Sequence, residues 1–436
     1  LKLKRKKYLV EKIQHCNENN VYKTFKGLKT YNPYVGIILP FETKQRKIIV
    51  NLLSEYSFCF ATKERIPVKL SMECVDAEEL NENIPIIENI FINKSKTISN
   101  DEANQTLNEE SNIAHIIKET KNEMTLEEKA KVQKILDNIK YENEHPNEEF
   151  QAPIETITNE KIADPKEKIE KIFNPFVTLW SNTEKLIKEK SIFKQFKSLS
   201  VVSFIAKSKD DLRQEVMVMQ LIKKCDEIFK SEAIPLKLHP YEIIVTSASS
   251  GIIEFIPDTI SIDALKKKLL ECNITFEEFF RRPFDDIFKD CQKNFAESLA
   301  AYSLVSYVFA IKDRHNGNIL IKNDGSIIHI DFGFILGISP GGNMNFENAP
   351  FKITKDYIRL MEGVDSSIFC YFKYLFLRGL FALRKHINIF LNLIEGMGIG
   401  VPMPCFNGRN LSDILNAVKE RALCKFSEVE IVPIVD

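Results

Sequence analysis

The chain has 436 residues, 44% of them apolar, enough for one two-lobed domain or two to three small ones. Its formal net charge of −1 names no partner, but residues 101–160 hold 15 acidic residues against 6 Lys, leaving 54 basic against 46 acidic residues elsewhere, a balance that suits a protein handling nucleotides or anionic surfaces. Nine cysteines without a CxxC pair read as reduced thiols of an intracellular protein with no zinc site, and the uncharged apolar run Ser298–Ile311, at 14 residues, is too short to span a bilayer.

Residues 1–33 form a basic N-terminal segment. The opening LKLKRKK puts five basic residues among seven, which suits either a solvated helix end or contact with an anionic membrane. A chain that opens on Leu1 rather than Met is expected to be a fragment, so no N-terminal targeting is read from it. Residues 34–76 carry YVGIILPF and RIPVKLSMECVD, rich in Val, Ile and aromatics, and predict short paired strands. Residues 77–165 are rich in Asn, Glu, Lys and Ile and nearly lack aromatics. Such a composition cannot bury enough apolar surface to offset its ordering entropy, so this stretch reads as a disordered insert. Within it, Thr125 and Glu128 match a capping box ahead of Val132, Ile135, Leu136 and Ile139.

Residues 166–257 turn globular. SLSVVSFIAK (198–207) predicts a buried strand. Residues 210–232 predict a helix capped by Asp210, with Leu212, Val216, Met219, Ile222 and Ile228 on one stripe. YEIIVTSASSGIIEFI (241–256) predicts two strands around a Ser/Gly turn. Residues 258–436 open with a long apolar helix, from about Phe284 to Lys312. A loop DRHNGN, two short strands around KNDG, and DFG follow. The stretch 354–424 reads as helical, with residues 366–397 as one or two buried helices. Strands first and helices later predict an α+β fold, a small mixed lobe followed by a helical one.

The chemistry concentrates in AIKDRHNGNILIKNDGSIIHIDFGF, residues 310–334. Phosphoryl transfer needs a metal held by hard oxygen ligands against a triphosphate, and a group to receive the attacking hydroxyl's proton. Protein kinases place Asn five residues after the Asp of H-R-D and add a metal ligand from DFG. Here Asp313 and Asn318 keep that spacing and Asp331-Phe332-Gly333 supplies the second ligand, but the loop reads D-R-H.

That reversal, with the trailing N-G-N, resembles the phosphatidylinositol 3-/4-kinase superfamily, and the resemblance covers about 34–76 and 170–424. It implies a two-lobed, protein-kinase-like lipid kinase domain using ATP and Mg²⁺. It makes Asn318 and Asp331 the metal ligands and Asp313 and His315 the proton-handling and transition-state groups. His315 is the favoured contact to the transferring phosphate or the hydroxyl, while the choice of base stays open between the two. Arg314 is expected to tie the loop to its surroundings. Lys207 ends a strand just before DDLRQE, so it is implied to meet ATP phosphates, with Glu215 as its acidic partner. Tyr241 is implied as a pocket tyrosine, and Glu254 C=O and Ile256 N–H as the adenine contacts. No G-x-G-x-x-G precedes Lys207, and the phosphate-covering loop is expected near 192–200.

The segment after DFG bears on substrate class. From Phe334 to Lys352 the first cation is Lys352 itself, and a ring already bearing phosphate would need charge partners there. Plain phosphatidylinositol is therefore the expected substrate. The loop, DDLRQE and the later RKH (384–386) look most like type III beta phosphatidylinositol 4-kinases. That implies transfer to the 4-hydroxyl, a peripheral enzyme on Golgi or related membranes, a small GTPase or other regulatory partner, and no nucleic acid. The alternatives are a 3-kinase, a superfamily protein kinase, and an inactive membrane scaffold.

Overall fold

The computed structural model describes residues 2–17, 37–41, 46–60, 66–83, 176, 179–281, 287–341, 349–400 and 403–436. Four strands precede the low-complexity segment: β1 (Ile37–Ile38), β2 (Lys47–Leu52), β3 (Phe58–Cys59) and β4 (Val68–Asp76). Three follow it: β5 (Ser200–Ser208), β6 (Ile243–Ser247) and β7 (Ser250–Glu254). They pair antiparallel in the order β1-β2-β4-β5-β7-β6, with β3 also on β4. β4 and β5 lie at the centre, Val68 opposite Ala206 and Cys74 opposite Ser200. One face packs on Phe193, Phe196 and Leu199; Leu39, Ile49, Met72 and Cys74 form a second cluster.

Two further pieces belong to this lobe. Helix α1 (Lys2–Cys16) buries Ile13, and the Asn17 side chain pairs with the Leu52 backbone in both directions, at 2.9 and 2.8 Å. Residues 77–83, assigned above to the insert, are not part of it. They begin helix α2 (Ala77–Glu82), which buries Ala77 and Leu80. Its Glu79 accepts from the Lys197 and Ser198 amides at 2.7 and 2.8 Å. The insert, as drawn from 77, therefore starts too early; its remainder, including the Thr125–Glu128 capping box, lies outside the described residues.

Beyond α3 (Trp180–Lys190) and β5 comes α4 (Arg213–Ser231). Asp210 does not cap it, contrary to expectation. The N-cap position falls on Leu212, without a side-chain cap, and Asp211 takes the Arg213 amide at 3.1 Å.

The helical lobe begins with β8 (Thr259–Ser261), α5 (Ile262–Glu271) and α6 (Phe276–Arg281). Helix α7 (Phe288–Val308) is buried nearly all round, as its apolar and small residues dictate. Strands β9 (Ile319–Lys322) and β10 (Ile327–His329) form a hairpin, and β8 joins it through β9. Then come α8 (Lys355–Leu360), α9 (Ser367–Lys385), α10 (Ile387–Gly398), α11 (Leu411–Arg421) and α12 (Glu428–Val435). Residues 366–397 are thus two helices, broken at His386. Among the described residues no helix is long and apolar enough to cross a membrane.

Candidate active site

Lys207 sits near the end of β5, opposite Gly251 of β7. A Cβ on Gly251 would lie 2.6 Å from both the Ile244 carbonyl oxygen and Leu212 Cδ1, so only glycine lets the strand, its neighbour and the entry to α4 close up behind the lysine. The Lys207 ammonium lies 3.6 Å from Glu215 Oε1 and 3.7 Å from Asp210 Oδ2. Burial works against its charge, but Glu215, Asp331 and Asp210 outweigh burial and hold its pKa above the ordinary lysine value. Glu215 is almost fully buried. Burial raises its carboxyl, Asp331 and Asp210 add to this, and Lys207 opposes them. Glu215 Oε2 has no hydrogen-bond partner. The sheet lobe thus presents a cation, held in a carboxylate cluster, toward Asp331 of the helical lobe.

The DRHNGN loop leaves α7 through two left-handed residues, Ala310 at φ 50° and Asp313 at φ 61°. Asp tolerates this region better than most residues. Arg314 is buried and turned inward. Its Nε donates to the Lys312 carbonyl at 3.0 Å and Nη1 to Ile330 at 2.9 Å, Nη2 donates to Asp331, and the guanidinium lies 5.0 Å from the Phe332 ring centroid. His315 is exposed, and its Nδ1 accepts from the Gly317 amide at 3.0 Å. A Cβ on Gly317 would stand 2.9 Å from the His315 ring, so the glycine makes this closure possible. Asn318 is buried and donates its amide nitrogen to the Asp313 carbonyl at 3.0 Å, so its side-chain oxygen is the atom available to accept or ligate. Asp331 is itself left-handed, at φ 59°.

An oxygen pair from Asn318 and Asp331 fits a hard divalent cation. Among the described residues no three His, Cys, Asp or Glu side chains gather as a metal set, so the remaining ligands would come from phosphate and water.

Tyr241 is fully buried, and burial raises its hydroxyl pKa well above the ordinary value, with Glu215, Tyr302 and Asp331 adding to it. Glu254 ends β7, and its carboxylate accepts from the Glu242 amide at 3.0 Å. Ile256 follows, nearly buried, and its carbonyl accepts from Thr259 Oγ1 at 2.9 Å. The segment after DFG is described for residues 334–341 and 349–352; residues 342–348 lie outside. Its start is anchored by the Leu336 amide on the Phe309 carbonyl at 2.8 Å, and at its end Lys352 donates to Asn316 Oδ1 at 2.8 Å.

Residues 201–407 match the family model described as "Phosphatidylinositol 3- and 4-kinase". The chain is 44% identical over 283 residues to "Phosphatidylinositol 4-kinase" of Dictyostelium discoideum, covering 64% of this chain and 23% of that protein. It is 38% identical over 261 residues to "Phosphatidylinositol 4-kinase beta" of Xenopus tropicalis, covering 59% and 32%. It is 44% identical over 238 residues to "Phosphatidylinositol 4-kinase beta 1" of Arabidopsis thaliana, covering 53% and 21%. Residues 201–407, just under half of the chain, are thus similar to the phosphatidylinositol 3- and 4-kinase family. The chain spans between a fifth and a third of the length of these relatives.

Two buried polar residues escaped the sequence reading. Gln214, beside Glu215 on α4, is buried and donates to the carbonyls of Phe332 at 3.0 Å and Gly333 at 2.7 Å. Lys69 of β4 is also buried, 4.3 Å from the Phe255 ring centroid and 5.0 Å from that of Trp180. Burial lowers its pKa to about 8. A lysine at the second residue of a strand normally reads as solvent-facing, and nothing local marks this one otherwise.

Proposed function

We propose that this chain is the catalytic part of a phosphatidylinositol 4-kinase, moving the γ-phosphate of ATP to the 4-hydroxyl of phosphatidylinositol. The observation that carries the reading is the convergence of Lys207, Glu215 and Asp331 from opposite lobes, with the Asn318 amide nitrogen taken up by the Asp313 carbonyl. A cation coupled to a carboxylate of the D-F-G segment, with Asn318 as a second oxygen ligand in this reading, is the kind of arrangement phosphoryl transfer requires. The names of the similar proteins favour the 4-kinase over the 3-kinase and protein-kinase alternatives.

In this reading Lys207 meets phosphate oxygens of ATP, held by Glu215 and Asp210. Adenine lies against the segment Glu254–Ile256, with Tyr241 behind it. Asn318 and Asp331 hold Mg²⁺, which when bound neutralises charge spread over the β- and γ-phosphates. Because His315 Nδ1 accepts the Gly317 amide, the neutral ring carries its proton on Nε2. His315 therefore offers a donor to the transferring phosphoryl group, and Asp313 receives the hydroxyl proton. Arg314 acts through the backbone it binds rather than on substrate. The lack of cations from Phe334 to Phe351 favours an inositol ring without phosphates, since a phosphorylated ring would lose hydration there without compensation. Residence at Golgi or related internal membranes, and a small GTPase or other regulatory partner, belong to the same proposal and rest on the resemblance.

The test is transfer of labelled γ-phosphate to vesicles of phosphatidylinositol, of phosphorylated phosphatidylinositol, or to a protein substrate. Label in the plain lipid alone supports the reading. Label in protein alone overturns it.

A further inference from the structure

Four consecutive carbonyls, from Ile330 to Gly333, each accept a hydrogen bond from a buried side chain. Arg314 of the catalytic loop serves Ile330 and Asp331. Gln214 of α4 serves Phe332 and Gly333, at 3.0 and 2.7 Å. The Gln214 amide is fully used, because its oxygen also accepts from the Cys405 amide at 3.0 Å. Two carbonyls require the NH₂ end and one N–H requires the oxygen, so its partners dictate the amide's orientation. The Cys405 carbonyl in turn accepts from Arg409 Nη1 at 2.9 Å, and the same nitrogen donates to the Leu336 carbonyl at 2.7 Å.

Left-handed backbone costs even an Asp some free energy, and Asp331 is held there on both sides. Successive helix residues point about 100° apart, so α4 sends Glu215 to Lys207 and Gln214 to the D-F-G backbone. We propose that Gln214 is a positioning residue for Asp331, locking the D-F-G backbone to α4 so that the Lys207–Glu215 pair and the proposed metal ligand assemble together. The inference rests on the kinase reading above. The substitution Gln214→Glu would set carboxylate oxygens against two carbonyl oxygens, whereas Gln214→Met would remove the donors without adding charge.

The test uses these two variants in the full chain, each checked for cooperative thermal unfolding. ATP binding is measured by titration calorimetry with and without Mg²⁺. In wild-type protein Mg²⁺ is expected to strengthen ATP binding. In Gln214→Glu that gain falls at least five-fold, with metal-free ATP binding within two-fold of wild type. In turnover assays kcat falls at least ten-fold and the KM for lipid changes less than two-fold. Gln214→Met shows the same pattern, weaker, and carries the test if Gln214→Glu does not fold. A folded variant that keeps the full Mg²⁺-dependent gain overturns the proposal. Wild-type protein that binds no ATP with Mg²⁺ overturns the kinase reading instead, so the two failures are distinct.

Discussion

Lys207→Ala removes the cation 3.6 Å from Glu215 and 3.7 Å from Asp210. At an effective dielectric of about 20, a pair at this separation carries ~4–5 kcal/mol of Coulomb energy. Glu215 has little water to turn to, with its side chain 8% exposed and Oε2 unpartnered. The variant limits the loss by protonating Glu215. Keeping a carboxyl of ordinary pKa protonated at pH 7 costs about 3–4 kcal/mol, and less once burial has raised the pKa. The expected destabilisation at pH 7 is therefore about 2–3 kcal/mol. Its sign with pH follows from the raised folded-state pKa of Glu215. The protonated form is retained below the unfolded-state value, so the deficit shrinks toward pH 5 and grows as pH rises to 7. Urea unfolding at pH 5 and pH 7 measures it, and Lys207→Ala/Glu215→Gln should recover most of the loss at pH 7. ATP affinity should fall by about 1.5–3 kcal/mol, the worth of a charge-assisted contact. Equal urea midpoints for variant and wild type at pH 7, or a deficit that Glu215→Gln leaves untouched, would refute the argument.

Asp331→Asn should leave the thermal midpoint nearly unchanged while turnover drops below a few per cent, because it removes one proposed metal-ligand charge; substantial turnover at saturating Mg²⁺ speaks against that role. Lys69 predicts an alkaline effect. Burial lowers its pKa to about 8, so between that value and the ordinary 10.5 the unfolded chain binds the extra proton and stability rises with pH. The contribution is up to ~1.4 kcal/mol per pH unit. In Lys69→Met this slope should vanish, and identical slopes in the two proteins from pH 8 to 10 would contradict the assignment.

The candidate catalytic segment stood out in the sequence because its polar residues interrupt an apolar pattern at fixed spacing. Asn318 and Asp331 flank the two strands of a hairpin that reads as strands, Asp313 lies on the loop before it, and Lys207 stands near the end of another strand. The lobe order followed from strand-rich and helix-rich stretches. Gln214 was hidden because its partners, Phe332 and Cys405, lie 118 and 191 residues away. Nothing in DDLRQE says which polar side chain turns inward. The cap at Asp210 failed because Asp210 and Asp211 are both capable caps by type, and Asp210 pairs instead with Lys207, three residues earlier. The boundary at Ala77 failed because Ala77 and Leu80 are too few to show a helical period. Lys69 went unnoticed because strand alternation tells which residues share a face, not that Trp180 and Phe255 cover it.

The central claim is tested most directly by where the phosphate lands. This chain is incubated with labelled ATP, Mg²⁺ and phosphatidylinositol vesicles, the product is deacylated, and the glycerophosphoinositol phosphates are separated by chromatography. Label in the 4-phosphate isomer is the predicted result. Label in the 3-phosphate isomer would contradict the 4-kinase assignment while leaving the lipid-kinase site standing.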